Sequence, residues 1–107
     1  MKDSFLNEVK NLLSSKSIEL MKVESFDIKQ VFARVNIENK EYMLAAFNKK
    51  KIEDSDLIKA SKKAGLLGVD YYILSRGDMT KKTKESVDAY KKLAGTLKIL
   101  VEEKSRE

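Results

Sequence analysis

Apolar residues recur along this chain with two different periods, and the switches between them mark its elements. From Asp3 to Ser15, Phe5, Leu6, Val9, Leu12 and Leu13 stand at helical spacing, with Asp3 or Ser4 as N-cap, so the chain opens on an amphipathic helix. Ser14-Ser15-Lys16 has turn character and ends it. Ile18 and Leu20 then alternate with Glu19, which predicts a short edge strand over Ile18 to Val23. Phe26 and Ile28 share one parity, whereas Val31, Ala33, Val35 and Ile37 share the other, so a bulge or turn is expected near Lys29-Gln30. From Val31 the alternation is clean, and Phe32, Arg34, Asn36 and Glu38 form a mostly polar second face. Asn39-Lys40 is the expected turn, because Asn tolerates positive φ. Glu41 to Phe47 follows with apolar residues on both faces, the pattern of a central strand buried on both sides.

After Asn48 to Lys51 the period changes again. Glu53, Asp54, Ser55 and Asp56 place negative charge and capping groups ahead of Leu57, where they complement the dipole of a new helix. Leu57, Ala60, Ser61 and Ala64 line one face of it, Lys59, Lys62 and Lys63 point outward, and Gly65 or Gly68 stops it. Val69 to Leu74 is β-branched and aromatic and reads as a strand. Ser75 to Met79 is a loop in which residues 76 to 78 spell Arg-Gly-Asp, read as a glycine turn and not as an adhesion motif. Thr80 or Thr83 caps a third helix with Val87, Tyr90 and Ala94 on one face and Gly95 at its end. Leu97 to Val101 is a final strand, and Glu102 to Glu107 a charged, fraying tail. The expectation is a single α/β domain over residues 1–107, ordered α-β-β-β-α-β-α-β, with a mixed sheet of about five strands.

Composition narrows the chemistry. The 107 residues contain neither cysteine nor histidine, which removes disulfides, Cys/His zinc sites, thiol nucleophiles and imidazole bases. No cofactor is expected. No apolar run approaches a membrane span and no export signal opens the chain, so the expectation is a cytoplasmic protein without a membrane partner. The net charge of +5 is uneven: Lys49 to Lys92 holds twelve basic and seven acidic residues, which accounts for the whole excess. Basic clusters of this kind attract polyanions and also keep small proteins soluble.

The helix bearing Glu8, the hairpin and the buried strand running into a basic stretch and a helix together resemble the PD-(D/E)XK nuclease superfamily, particularly the small archaeal Holliday-junction resolvases. The resemblance implies a restriction-endonuclease-like core, with an aspartate on one hairpin strand and a Glu-x-Lys on the next, the acids holding Mg²⁺ and the lysine positioning or activating the attacking water for phosphodiester hydrolysis. Laid through KEYMLAAFNKKKI, that pattern falls on Ala33 and on Ala46-Phe47-Asn48, with Glu8 as the one carboxylate retained. Methyl groups cannot coordinate a hard cation, so no hydrolysis is expected from this registration. A second registration, Asp27 with Glu38-Asn39-Lys40, fits the bare formula but puts its carboxylates at a suspected bulge and across a hairpin tip.

Two functions follow as expectations. The first is a non-catalytic domain binding the DNA or RNA backbone through Lys49, Lys50, Lys51, Lys59, Lys62, Lys63, Lys81, Lys82 and Lys84, with a steep salt dependence. Arg34 and Arg76 are the only arginines in the body of the chain, which argues against bidentate base reading. The second is a protein-interaction or scaffold subunit, as a homodimer or with another protein, using Phe32, Met79, Met21 or the Tyr71/Tyr72 pair. An active Mg²⁺-dependent endonuclease ranks third.

Overall fold

Helix α1 (Ser4–Ser15) buries Phe5, Leu6, Val9 and Leu13, which need an apolar sheet to lie on. The sheet that receives them is built from β1 (Glu19–Phe26), β2 (Gln30–Ile37), β3 (Lys40–Phe47), β4 (Tyr71–Ser75) and β5 (Leu93–Lys98), side by side in that order. The computed structural model describes residues 4–77, 79–85 and 92–99 of the chain. Strands β1, β2 and β3 pair antiparallel, and β3, β4 and β5 pair parallel, so the sheet is mixed as expected. Helix α2 (Asp54–Leu67) joins β3 to β4, and α3 (Lys81–Lys84) lies between β4 and β5.

The alternation read from the sequence sorts side chains into two cores. Val31, Ala33, Val35, Leu44 and Ala46 meet α1 on one face of the sheet. Phe32, Met43, Ala45, Phe47, Tyr71 and Ile73 meet Leu57, Ala60 and Ala64 of α2 on the other. Strand β3 is therefore central, with every residue from Met43 to Phe47 buried. The second face of β2 is less open than its polar residues imply. Phe32 is only 1% exposed, since α2 lies over it and the Phe47 ring meets it edge-on at 5.9 Å. Burying a ring of this kind stabilises the fold by about 1.5–3 kcal/mol.

Several boundaries differ from the expectation, each for a local reason. Strand β1 runs to Phe26, and its register against β2 slips between Leu20 and Lys22 and again between Val23 and Ser25. The bulges let Leu20 and Val23, at opposite parity, both pack on the core beneath α1, and they twist an open sheet edge, which discourages a second chain from pairing there. The parity switch expected near Lys29-Gln30 falls at the Asp27–Gln30 turn. The hairpin turn falls one residue earlier than expected, on Glu38 and Asn39, both at positive φ, while Lys40 already pairs with Ile37. Gly68, in the left-handed region at φ 71°, caps α2, so the stop is Gly68 and not Gly65. Strand β4 starts at Tyr71 instead of Val69. Ala94 and Gly95, expected at the end of the third helix, belong to β5, which begins four residues before the expected Leu97. Gly95 suits that strand because a Cβ there would stand 2.9 Å from the Tyr72 ring. Thr80 caps α3 as expected, its Oγ1 accepting from the Thr83 N–H at 3.2 Å. The expected roles of Asp3, Val87, Tyr90, Val101 and the tail at 102–107 fall outside the described residues.

Candidate nucleic-acid interface

Because β3, β4 and β5 are parallel, their carboxyl ends open on the same side of the sheet, the side where open α/β sheets place their ligands. The segments leaving β3 and β4 there are fastened together. The Arg76 N–H donates to the Lys49 carbonyl at 3.1 Å and the Thr80 N–H to the Ile52 carbonyl at 3.0 Å. Ile52 and Met79 form a parallel bridge between them. The approach is so close that a Cβ on Gly77 would lie 2.1 Å from the Lys50 carbonyl oxygen.

That fastening brings two sequence-distant lysine clusters to one place. Lys50, Lys51, Lys81 and Lys84, with Met79 and Thr80, line an open cleft of about 510 Å³. All four lysines are exposed, and among the described residues no carboxylate pairs with them. Four ammonium groups around one cleft, without an ion-pair partner among the described residues, make a positive local potential that favours anions.

The other five expected lysines are placed differently. The Lys49 Nζ bonds the Asp56 carboxylate at 2.8 Å and lies 3.8 Å from Glu53, so its charge is neutralised within the chain. Asp56 also accepts from the Glu53 N–H at 3.0 Å, which makes one buried carboxylate both a cap for α2 and the anchor of Lys49. Lys59 reaches the Gln30 side chain at 3.3 Å, and Lys63 lies 5.0 Å from the centre of the Phe32 ring, so both lean toward β2. Lys62 is exposed on the same helix. Lys82 lines an adjoining cleft together with Glu53 and Asp54.

The positions singled out by the nuclease resemblance hold no ligand set. Ala33 and Ala46 are fully buried under α1. Asn48 and Glu8 both engage Arg76: its Nε donates to Asn48 Oδ1 at 2.6 Å, and its terminal nitrogens donate to the two oxygens of Glu8, one of them at 3.3 Å. The Phe5 ring lies beneath the guanidinium, 5.6 Å away. The second registration is separated by the full length of β2. Asp27 precedes that strand and Glu38 follows it, and eight residues at ~3.3 Å each put them roughly 25 Å apart. Asp27 is instead a turn residue, accepting from the N–H groups of Lys29 at 2.7 Å and Gln30 at 3.0 Å. Those two donors hold its carboxyl below the usual carboxylate range. Among the described residues no three carboxylates are grouped to hold a metal ion.

Glu8 as the partner of Arg76, Asp56 as the partner of Lys49, and Gly77 as the point of loop contact were not legible in the sequence. Their partners lie 68, 7 and 27 positions away, at ordinary residues with no motif around them. Arg76 and Gly77 belong to the Arg-Gly-Asp tripeptide, but the arginine is tied to Glu8 and the glycine is pressed against Lys50, so neither is presented for adhesion. No protein family, curated protein or solved structure matches the chain. No helix among the described residues is long and apolar enough to cross a membrane.

Proposed function

We propose that this chain is a non-catalytic domain with a restriction-endonuclease-like core that binds the nucleic-acid backbone through its lysines. The observation that carries this reading is the meeting of Lys50, Lys51, Lys81 and Lys84 at the carboxyl ends of the parallel strands. Like charges gathered in one cleft repel one another, and a polyanion relieves that repulsion while releasing its own counterions. The lack of catalysis is supported by Ala33, Ala46 and Asn48 at the positions where the resemblance requires two acids and a lysine, and by the commitment of Glu8 to Arg76.

The test is fluorescence anisotropy of a labelled DNA duplex against salt. Four phosphate contacts give a slope of log K on log salt near −3.6, or about 100-fold weaker binding between about 50 and 200 mM. Removing two of them with Lys50→Ala and Lys51→Ala brings the slope to about −1.8. Absence of binding at low salt, or binding indifferent to salt, refutes the proposal.

A second reading, a protein-interaction subunit, is favoured by one feature of α2. Leu66, 88% exposed, and Ile58, 45% exposed, stand outward among Lys59, Lys62 and Lys63. Apolar groups ringed by one sign of charge mark a contact surface. A mass that rises with concentration, abolished by Leu66→Ser and accompanied by no affinity for nucleic acid, would establish this second reading instead.

A further inference from the structure

We propose that Arg76 is a positioning residue for the lysine cleft, clamped from the α1 face of the sheet so that the segment carrying Lys50 and Lys51 has one conformation. The inference rests on the nucleic-acid reading of that cleft. Arg76 engages four residues at once, two on α1 and two where the chain leaves β3. Its guanidinium bonds Glu8 on α1 through two nitrogens and Asn48 at the end of β3 through the third, with the ring of Phe5 beneath. Its backbone N–H holds the Lys49 carbonyl. Asn48 passes the restraint on, its Nδ2 donating to the Ile28 carbonyl at 3.0 Å and its N–H to the Lys29 carbonyl at 2.8 Å. The residue after Arg76 is Gly77, seated on the Lys50 carbonyl. Each restraint bears on residues 48–50, the root of the lysine segment.

A planar fork with three nitrogens engaged is a geometric clamp that a lysine cannot reproduce. Its value to a lysine cleft is preorganisation: a segment already fixed loses less conformational freedom when it meets phosphates. The guanidinium is spent on internal partners and contributes no phosphate contact of its own.

Glu8→Gln gives a test in which two explanations have opposite signs. Removing a negative charge raises the net charge, so electrostatics alone makes binding to a DNA duplex tighter. Loss of the clamp makes it weaker, by about tenfold, a typical coupling between linked sites. The salt slope should stay at the wild-type value, since no phosphate contact is removed. Arg76→Lys should behave in the same way, measured at a temperature where circular dichroism shows both variants folded. Unchanged or tighter binding in folded Glu8→Gln overturns the proposal. A slope smaller by about one unit in Arg76→Met overturns it too, because Arg76 would then be a phosphate contact itself. If the wild-type chain binds no duplex, the nucleic-acid reading fails, and amide hydrogen exchange decides the clamp separately. Faster exchange at Asn48 and Arg76 in Glu8→Gln, against unchanged protection in β2, supports the clamp, and unchanged exchange at both overturns it.

Discussion

Gly77→Ala is the most informative single change in this chain, because it adds one methyl group at a point where backbone meets backbone. The new Cβ would lie 2.1 Å from the Lys50 carbonyl oxygen and 3.0 Å from its carbon, and neither atom belongs to a side chain that can rotate away. Gly77 does not sit at positive φ, so the cost is one of space and not of backbone conformation. Relief requires the two segments to part by more than an ångström. The Arg76 to Lys49 and Thr80 to Ile52 hydrogen bonds, now 3.1 and 3.0 Å, do not survive that separation. Two lost hydrogen bonds at about 1 kcal/mol each, with partial exposure of the buried Ile52, amount to about 2–3 kcal/mol. For a chain of this size that lowers Tm by about 10–20 °C. Gly65→Ala is the internal control: it lies inside α2 with nothing within 4 Å of the added methyl. Ala there should stabilise by about 0.5–1 kcal/mol through helix propensity, raising Tm by a few degrees. Thermal unfolding followed by circular dichroism reads both. A Gly77→Ala variant melting within about 2 °C of the wild type would refute the claim that the two segments are locked together.

Other outcomes follow from the same contacts. Phe32→Ala removes a ring buried beneath α2 and should cost about 3–5 kcal/mol in urea unfolding, far more than a residue on a polar strand face would. Asp27→Asn removes a carboxylate whose folded pKa is depressed by the Lys29 and Gln30 N–H groups. The wild type should therefore exceed the variant in stability above the unfolded pKa of about 3.9, and that gap should close as pH falls through the lower folded value. A gap that persists in strong acid contradicts the assignment. Lys59→Ala with Lys63→Ala should change the salt slope of duplex binding less than Lys50→Ala with Lys51→Ala, because the first pair leans on Gln30 and Phe32. An equal change would place α2 within the interface.

The site was legible as a set of lysines but not as an arrangement. Lysine runs announce themselves by composition, and the nine residues singled out include the four that meet in one cleft. Their partition was hidden, since it depends on Asp56 folding back to Lys49 and on Met79 pairing with Ile52. The nuclease formula Asp27 with Glu38-Asn39-Lys40 shows the reverse case, a correct string at the two ends of a strand.

Period two and period 3.6 are imposed by strand and helix geometry residue by residue, so the elements and the two faces of the sheet could be read from the order of residues. That order also marked the buried central strand, since Met43 to Phe47 carries no polar residue to turn outward. Where β5 begins was settled by packing against propensity: Ala94 and Gly95 are poor strand formers, yet β4 offers their segment a parallel partner. Packing alone decided that Phe32 is core, because α2 arrives from some twenty-five positions away to cover it. And it alone joined Arg76 to Glu8 and Asn48, a pairing fixed by the distance between side chains in space, about which local periodicity carries no information.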